Sequence, residues 1–234
     1  MTDSGEVSAL AAKAASATIP IVFVSGGDPI MMGLVKSLHR PGGNITGASL
    51  FHAEIEPKRL GLLRELRPNA TTIVVLVNPN GPYAETQVND TRAAASSVGQ
   101  EITILNASTI GEIDAAFARL AQMRADAIFV VADPFFFDRA TQLVVLAARH
   151  MIPTLYIRRE FAAAGGLISY GANAEDSYHI LGVYAGRILK GEKPADLPIQ
   201  IATKFELVIN LSTARALGLE IPPTLLARAD EVIE

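Results

Sequence analysis

The chain has 234 residues and a formal net charge of −4; half its residues are hydrophobic and 19% are charged, which allows a packed core and argues against disorder or a nucleic-acid surface. It has no cysteine, so thiolate metal sites, redox dithiols and a cysteine nucleophile are excluded. No run of about eighteen apolar residues occurs, so no transmembrane helix is expected.

The opening Met1-Thr2-Asp3-Ser4-Gly5-Glu6 has neither the basic nor the apolar region of a signal peptide. Taken alone, it implies a cytosolic protein or a chain that starts downstream of its export signal. Residues 7–17 are alanine-rich and predict a helix that Pro20 ends. Ile21–Val24 follows as a strand, Ser25-Gly26-Gly27-Asp28-Pro29 as a turn, and Pro29 opens an expected helix to about Leu38. Arg40-Pro41-Gly42-Gly43 closes it before a short strand around Ile45.

From residue 54 the alternation is regular. A helix over 54–67 carries Leu60, Leu63 and Leu66 on one face. Strands at 72–77, 101–105, 127–131 and 154–157 alternate with helices at 83–98, 110–123 and 137–150 and a short one near Phe161. A fifth strand runs from Leu167 to Tyr170. Near-continuous apolar strands joined by helices indicate a parallel sheet covered on both faces, with right-handed crossovers. A helix over 175–189 follows. The odd positions Ile199, Ile201, Phe205, Leu207, Ile209 and Leu211 then read as extended chain with one buried face. Ser212 is the expected cap of a short helix ended by Gly218, and a last amphipathic turn after Pro222-Pro223 finishes the chain.

One pattern occurs twice. Ala14-Ala15-x-x-x-Ile19-Pro20 precedes the strand Ile21–Val24, and Ala147-Ala148-x-x-x-Ile152-Pro153 precedes Thr154–Ile157. Each copy is followed by an echo, Gly42-Gly43-Asn44-Ile45-Thr46 and Gly165-Gly166-Leu167-Ile168-Ser169. Two echoes in the same order imply two similarly built lobes. Three strand–helix units precede the second copy and almost nothing precedes the first, so the chain is expected to begin partway through lobe one. The expected organisation is α/β: two Rossmann-like lobes with parallel sheets, the first incomplete at its N-terminus. Residues 1–52 form partial lobe one, 53–172 form lobe two, and 173–234 supply a crossover helix, hinge strand and C-terminal segment shared between lobes. An incomplete lobe leaves the edge of Ile21–Val24 exposed, and a homo-oligomer is expected to cover it.

In an open parallel sheet, ligands bind outside the carboxyl ends of the strands. The candidate ligand-binding residues are therefore Ser25, Gly26, Asp28, Asn80, Tyr83, Asp133, Phe135, Phe136, Glu160 and Tyr170. Asp28, Asp133 and Glu160 suit an ammonium group, while Tyr83, Phe135, Phe136 and Tyr170 suit an apolar or aromatic ligand body. Each has a plainer reading. Asp28 and Asp133 stand before proline and read equally well as caps; one or two of Phe135, Phe136 and Phe137 belong to the core; Tyr83 opens a helix and can simply pack. Asn106, Ser108 and Asn173 read as caps. Arg158-Arg159 reads as a solvated pair.

Searches for chemistry come back empty. There is no G-x-x-x-x-G-K-[ST], no G-x-G-x-x-G after a strand, no G-x-S-x-G, and no metal-ligand spacing among His39, His52, His150 and His179. No catalytic residue, metal or cofactor is assigned.

The runs Ile19-Pro20-Ile21-Val22-Phe23-Val24, Asp28-Pro29 and Arg40-Pro41-Gly42-Gly43-Asn44-Ile45-Thr46-Gly47 are similar to bacterial ABC-transporter substrate-binding proteins of the tryptophan/tyrosine-transport type. So are Ala132-Asp133-Pro134-Phe135-Phe136, Gly165–Gly171, Gly186–Pro194, Lys204–Asn210 and Leu225–Asp230. The resemblance implies a type I periplasmic-binding-protein fold, an extracytoplasmic location, a small and possibly aromatic amino-acid ligand, delivery to an ABC permease, and no catalysis. Members of that family carry an export signal and three more strand–helix units before the segment matching Ala9–Pro20, and those units usually supply part of the ligand site. A cytosolic ligand-sensing module of a regulatory protein is the alternative function, and an enzyme on a Rossmann-like lobe is the third.

Overall fold

A computed structural model describes residues 6–50 and 55–234. The expected lobe boundary at 52–53 and the first residue of the helix expected from 54 lie outside the described residues. In chain order the elements are α1 (Glu6–Ala15), β1 (Ile21–Ser25), β2 (Ile45–Ser49), α2 (Ile55–Leu66), β3 (Ile73–Val77), α3 (Ala84–Ser97), β4 (Ile102–Asn106), α4 (Ile110–Met123), β5 (Ala127–Val130), α5 (Pro134–Phe137) and α6 (Ala140–Arg149). They continue as β6 (Thr154–Tyr156), α7 (Arg159–Ala163), β7 (Ile168–Ala172), α8 (Ala174–Leu189), β8 (Gln200–Ile201), β9 (Phe205–Asn210), α9 (Leu211–Ala216), α10 (Pro223–Leu226) and β10 (Glu231–Ile233). Among the described residues no helix is long and apolar enough to cross a membrane.

The chain divides into two compact units: residues 1–52 with 172–205, and 53–171 with 206–234. Unit 1 holds a three-stranded sheet in the order β1-β2-β8, with parallel pairs throughout. Successive side chains of a strand point to opposite faces, and β1 obeys this. Ile21 and Phe23 pack with Ala9, Leu34, Val35, Ile45 and Ile199, whereas Val22 packs with Leu181, Tyr184 and Leu197. Both faces of the sheet are therefore covered, one with help from α1 and the other by α8.

Unit 2 holds a seven-stranded sheet in the order β10-β9-β7-β6-β5-β3-β4. Its first five strands in sequence take the doubly wound order 2-1-3-4-5, all pairs parallel. Ile73–Val77 and Ala127–Val130 are buried along their whole length, because helices cover both faces. Strand β9 runs antiparallel to β7: Asn210 N donates to Leu167 O at one end and Asn173 N to Lys204 O at the other.

Four expectations are corrected. Residues 29–38 are a chain of turns and not a helix. Asp28 Oδ1 accepts from the Ile30 and Met31 amides, Pro29 O accepts from both Leu34 and Val35, and Gly33 takes φ +70°, which stops helical propagation. The helix expected over 137–150 starts later, at Ala140, because Phe137 ends a separate turn, α5, that Asp133 caps. Strand β9 is buried on both faces over Leu207–Asn210, Val208 and Asn210 included, and not on one face alone, with β7 and β10 pairing its edges. Asn210, and not Ser212, caps α9. The last turn expected after Pro222-Pro223 is α10, and beyond it lies a strand that no expectation covered, β10. Arg159 holds β10 in place, its Nε and Nη2 each 2.7 Å from a Glu231 carboxylate oxygen.

Candidate ligand-binding site

Strands β3 and β5 are neighbours, yet the connections that leave them run to opposite sides of the sheet: β4 lies beyond β3 and β6 beyond β5. This is the topological switch point, where the loops part and leave a crevice. Asn78 ends β3 and Asp133 follows β5, and both are buried. Asn78 Nδ2 donates to Asp133 Oδ1 at 2.9 Å, and the same oxygen accepts from the Phe135 amide at 2.9 Å. Asn78 Oδ1 in turn accepts from the Asn80 amide at 3.1 Å. One buried amide–carboxylate pair thus fixes both loops. The loop after β3 presses so closely on the carboxylate that a Cβ at Gly81 would overlap Asp133 Oδ2.

Around this pair stand Tyr83, half-buried in the cap position of α3, and Phe135, half-buried on α5. The Arg139 guanidinium lies over the Phe135 ring at 5.4 Å, and the Arg158 guanidinium lies over Phe137 at 4.5 Å. The structure therefore brings Asn80, Tyr83, Asp133 and Phe135 to one end of unit 2. Phe136 is different. It is fully buried in the core of the unit, with no side-chain surface left for a ligand. Asp133 also performs the cap role foreseen as its plainer reading, for α5.

Glu160 is exposed on the first turn of α7, where its charge acts on Arg159. Hydrogen bonding and charge from Glu231, with Glu206 and Glu160 behind, hold the Arg159 guanidinium above its ordinary range. Tyr170 is half-buried near the end of β7, and its carbonyl accepts from Arg59 Nε at 3.0 Å. In unit 1, Ser25 Oγ and Ser49 Oγ both donate to Gly27 O, at 3.1 and 3.0 Å, which pins the loop carrying Gly26 onto β2. Asp28 is half-buried, and one of its oxygens closes the following turn. Of the caps expected elsewhere, Asn173 caps α8, while Thr109 takes the α4 position and Ser108 instead donates to Glu112.

Sequence reasoning missed Asn78, Arg59 and Glu56. Arg59 and Glu56 form an ion pair at 2.8 Å on α2, both nearly buried, with Arg59 also over the face of Phe129 at 5.7 Å. Burial pushes the Glu56 carboxyl up, with Arg59 opposing it, and burial likewise lowers Arg59 against the pull of Glu56. The signal was present in the spacing: 56, 59, 63 and 66 share the helix face that carries Leu63 and Leu66.

Among the described residues no group of three or more His, Cys, Asp or Glu is arranged to hold a metal. The arrangement at the switch point is that of a binding surface: buried hydrogen bonds fix its frame, and half-buried aromatic and cationic groups face its rim.

Residues 2–233 match the family described as ABC transporter substrate binding protein. A tyrosine-binding protein of Clostridioides difficile (strain R20291) is 30% identical over 213 residues; the alignment takes in 91% of this chain and 61% of that protein. Two solved structures superpose well. One, an ABC domain from Streptococcus pneumonia in complex with L-Trp, has 29% identity and a TM-score of 0.86. The other, a conserved domain protein from Vibrio cholerae, has 30% identity and a TM-score of 0.85. Each superposition covers 96% of this chain and 75% of the other. The fold is that of the type I periplasmic binding proteins.

Proposed function

The chain belongs to the ABC transporter substrate-binding protein family, and from that premise we propose that it binds a small amino-acid-like solute, aromatic by preference, and presents it to an ABC permease without chemical change. The observation that carries this reading is the fixed pair Asn78–Asp133 at the switch point of unit 2, rimmed by Tyr83 and Phe135. A buried, hydrogen-bonded frame with a few polar groups and aromatic walls is what a small-molecule site requires. The related structure from Streptococcus pneumonia holds L-Trp and the Clostridioides difficile relative is a tyrosine-binding protein, which supports an aromatic amino acid. An extracytoplasmic location follows from the same reading.

The test is a thermal-shift screen of amino acids and small carboxylates. A true ligand at a hundred times its dissociation constant stabilises by about 2.7 kcal/mol. Asp133→Ala, which removes the acceptor shared by Asn78 and the Phe135 amide and so unfixes both loops, is expected to abolish the shift given by any ligand while the chain still folds. If no compound moves the midpoint, the reading fails.

Strand β1 pairs only with β2 among the described residues, so one of its edges is open. We propose that a second copy of the chain pairs there. A monomer at micromolar concentration in sedimentation would refute this.

A further inference from the structure

Two cations at the ligand end of unit 2, Arg139 and Arg158, differ from the cations of the molecule that sit in close ion pairs. Arg59, Arg159, Arg187, Arg228 and Lys204 each hold a carboxylate at 2.9 Å or closer. Arg139 and Arg158 hold none among the described residues. Both are half-buried, and each lies over an aromatic ring, of Phe135 and Phe137 respectively. Arg139 makes one hydrogen bond, a long one of 3.3 Å from Nη1 to Asp138 O, and its Nε is buried with no acceptor. A guanidinium offers five donors in a fixed fork suited to a carboxylate. Leaving such donors unmet in a partly desolvated place is costly unless something else supplies the acceptor.

Position decides what that acceptor is. Strands β5 and β6 are hydrogen-bonded neighbours, and Arg158 comes two residues after the end of β6, while Arg139 comes just after the short helix that follows β5. Both therefore stand at the carboxyl end of the sheet, on the side of the switch point that carries Asp133. The acids in this region are committed or turned outward. Asp133 accepts from Asn78 and the Phe135 amide, and Asp138 and Glu160 are exposed.

We propose that Arg139, supported by Arg158, is the specificity-determining group of unit 2 and takes the carboxylate of the ligand, so that the protein selects aromatic carboxylates whether or not they carry an ammonium group. The inference rests on the binding-protein reading above. It deepens that reading by making the acid, and not the amine, the group that this unit recognises. The ring beneath each guanidinium limits its contact with water, which strengthens its bond to an anion.

The experiment uses three probes with one ring system: L-tryptophan, indole-3-acetate (acid without amine) and tryptamine (amine without acid), titrated by calorimetry into the whole chain. Indole-3-acetate is expected to bind within about tenfold of L-tryptophan, and tryptamine at least tenfold more weakly than either. Arg139→Gln is expected to weaken both acids about ten- to hundredfold and to leave tryptamine unchanged. Arg139→Lys, which keeps the charge, recovers part of the loss, a recovery that a purely structural role for the stacked guanidinium would not give. Tryptamine binding as tightly as L-tryptophan, or acids unaffected by Arg139→Gln in a folded variant, overturns the inference and leaves the binding-protein reading standing. If no probe and no amino acid binds, both fall.

Discussion

Two strand pairs in this molecule are written in nearly the same words. Pair β1–β2 in unit 1 and pair β6–β7 in unit 2 each follow an Ile-Pro turn, and in each the second strand comes after Gly-Gly. Their surroundings differ. Pair β6–β7 lies inside a seven-stranded sheet, with β5 on one side and β9 on the other. Pair β1–β2 has β8 beside β2 and only two hydrophobic clusters, one on each face, to hold it. The same local instructions therefore yield the same pair geometry in a large sheet and in a small one. What differs is what the pair does with its polar atoms and its charges.

The largest expected effects test the shared part. A Cβ at Gly47 would fall inside the envelope of the Phe23 carbonyl, and a Cβ at Gly171 inside that of the Ile157 carbonyl. In both places it is backbone that blocks the added atom, and backbone cannot step aside as a side-chain tip can. Gly47→Ala and Gly171→Ala are each expected to cost more than about 4 kcal/mol or to prevent folding. Urea denaturation and soluble yield measure this. If one variant behaves like wild type, the two pairs are not held by the same close approach.

The next effect belongs to unit 2 alone. Its Arg59–Glu56 pair is buried, whereas two ion pairs of unit 1, Arg187–Glu192 and Lys204–Asp176, are largely exposed. Arg59→Met leaves a buried carboxylate uncompensated and is expected to cost about 3 kcal/mol or more. Glu56→Gln in the same chain is expected to return most of it. The pH dependence has a definite sign. Burial already raises the Glu56 carboxyl in the folded chain, and removing Arg59 raises it further. A raised folded value favours the protonated form, so the variant is closest to wild type below about pH 4.3, the ordinary glutamate value. The deficit then grows as pH rises through the folded value. A deficit that shrinks with rising pH would contradict the assignment. Lys204→Ala in unit 1 is expected to leave the urea midpoint where it was.

Much of unit 2 was legible because its signals are redundant. Helix α4 falls where it was expected, at 110–123, since an apolar stripe of Ile113, Phe117 and Leu120 coincides with a Thr109–Glu112 cap. The apolar run Ile73–Val77 likewise leaves no alternative to a buried strand. Unit 1 was less legible between its strands. Pro29 opens a helix as readily as a turn, and only the paired use of Pro29 O and the left-handed Gly33 decide for turns. Strand β10 was missed because three residues starting with glutamate carry no apolar run; its place comes from contacts distant in sequence, Arg159 on Glu231 and the Leu207 amide on Asp230. At the site, residue types after each strand were readable, but their division between frame and rim was not. Phe135 and Phe136 look alike in sequence, and only packing makes one a rim group and the other core. Glu56 and Arg59 were passed over, since two charges on a helix point to burial only when their shared face with Leu63 is counted.

The smallest expected effects separate the two pairs most cleanly, because they turn on single hydroxyls. Thr46 and Ser169 occupy matching places in the sequence echo, and both are buried. Thr46 Oγ1 donates to Leu197 O at 2.7 Å, while Ser169 Oγ has no partner among the described residues. Phe23 and Tyr156 match in the same way: both rings are fully buried, but the Tyr156 hydroxyl makes no hydrogen bond of good geometry among the described residues. Burial holds the Tyr156 phenol well above its usual range, with the neighbouring Thr154 hydroxyl opposing it only weakly. Removing a satisfied buried hydroxyl costs about 1 kcal/mol, whereas removing an orphan costs little or returns stability. Thr46→Val is therefore expected to destabilise by about 1 kcal/mol. Ser169→Ala is expected to be neutral, and Tyr156→Phe neutral or stabilising by up to about 1 kcal/mol. Thermal unfolding of the three variants side by side measures the contrast. Were Tyr156→Phe to cost as much as Thr46→Val, its hydroxyl would have an acceptor, supplied by an internal water shared with Ser169, its register partner on β7, and the second strand pair would then be as fully satisfied as the first.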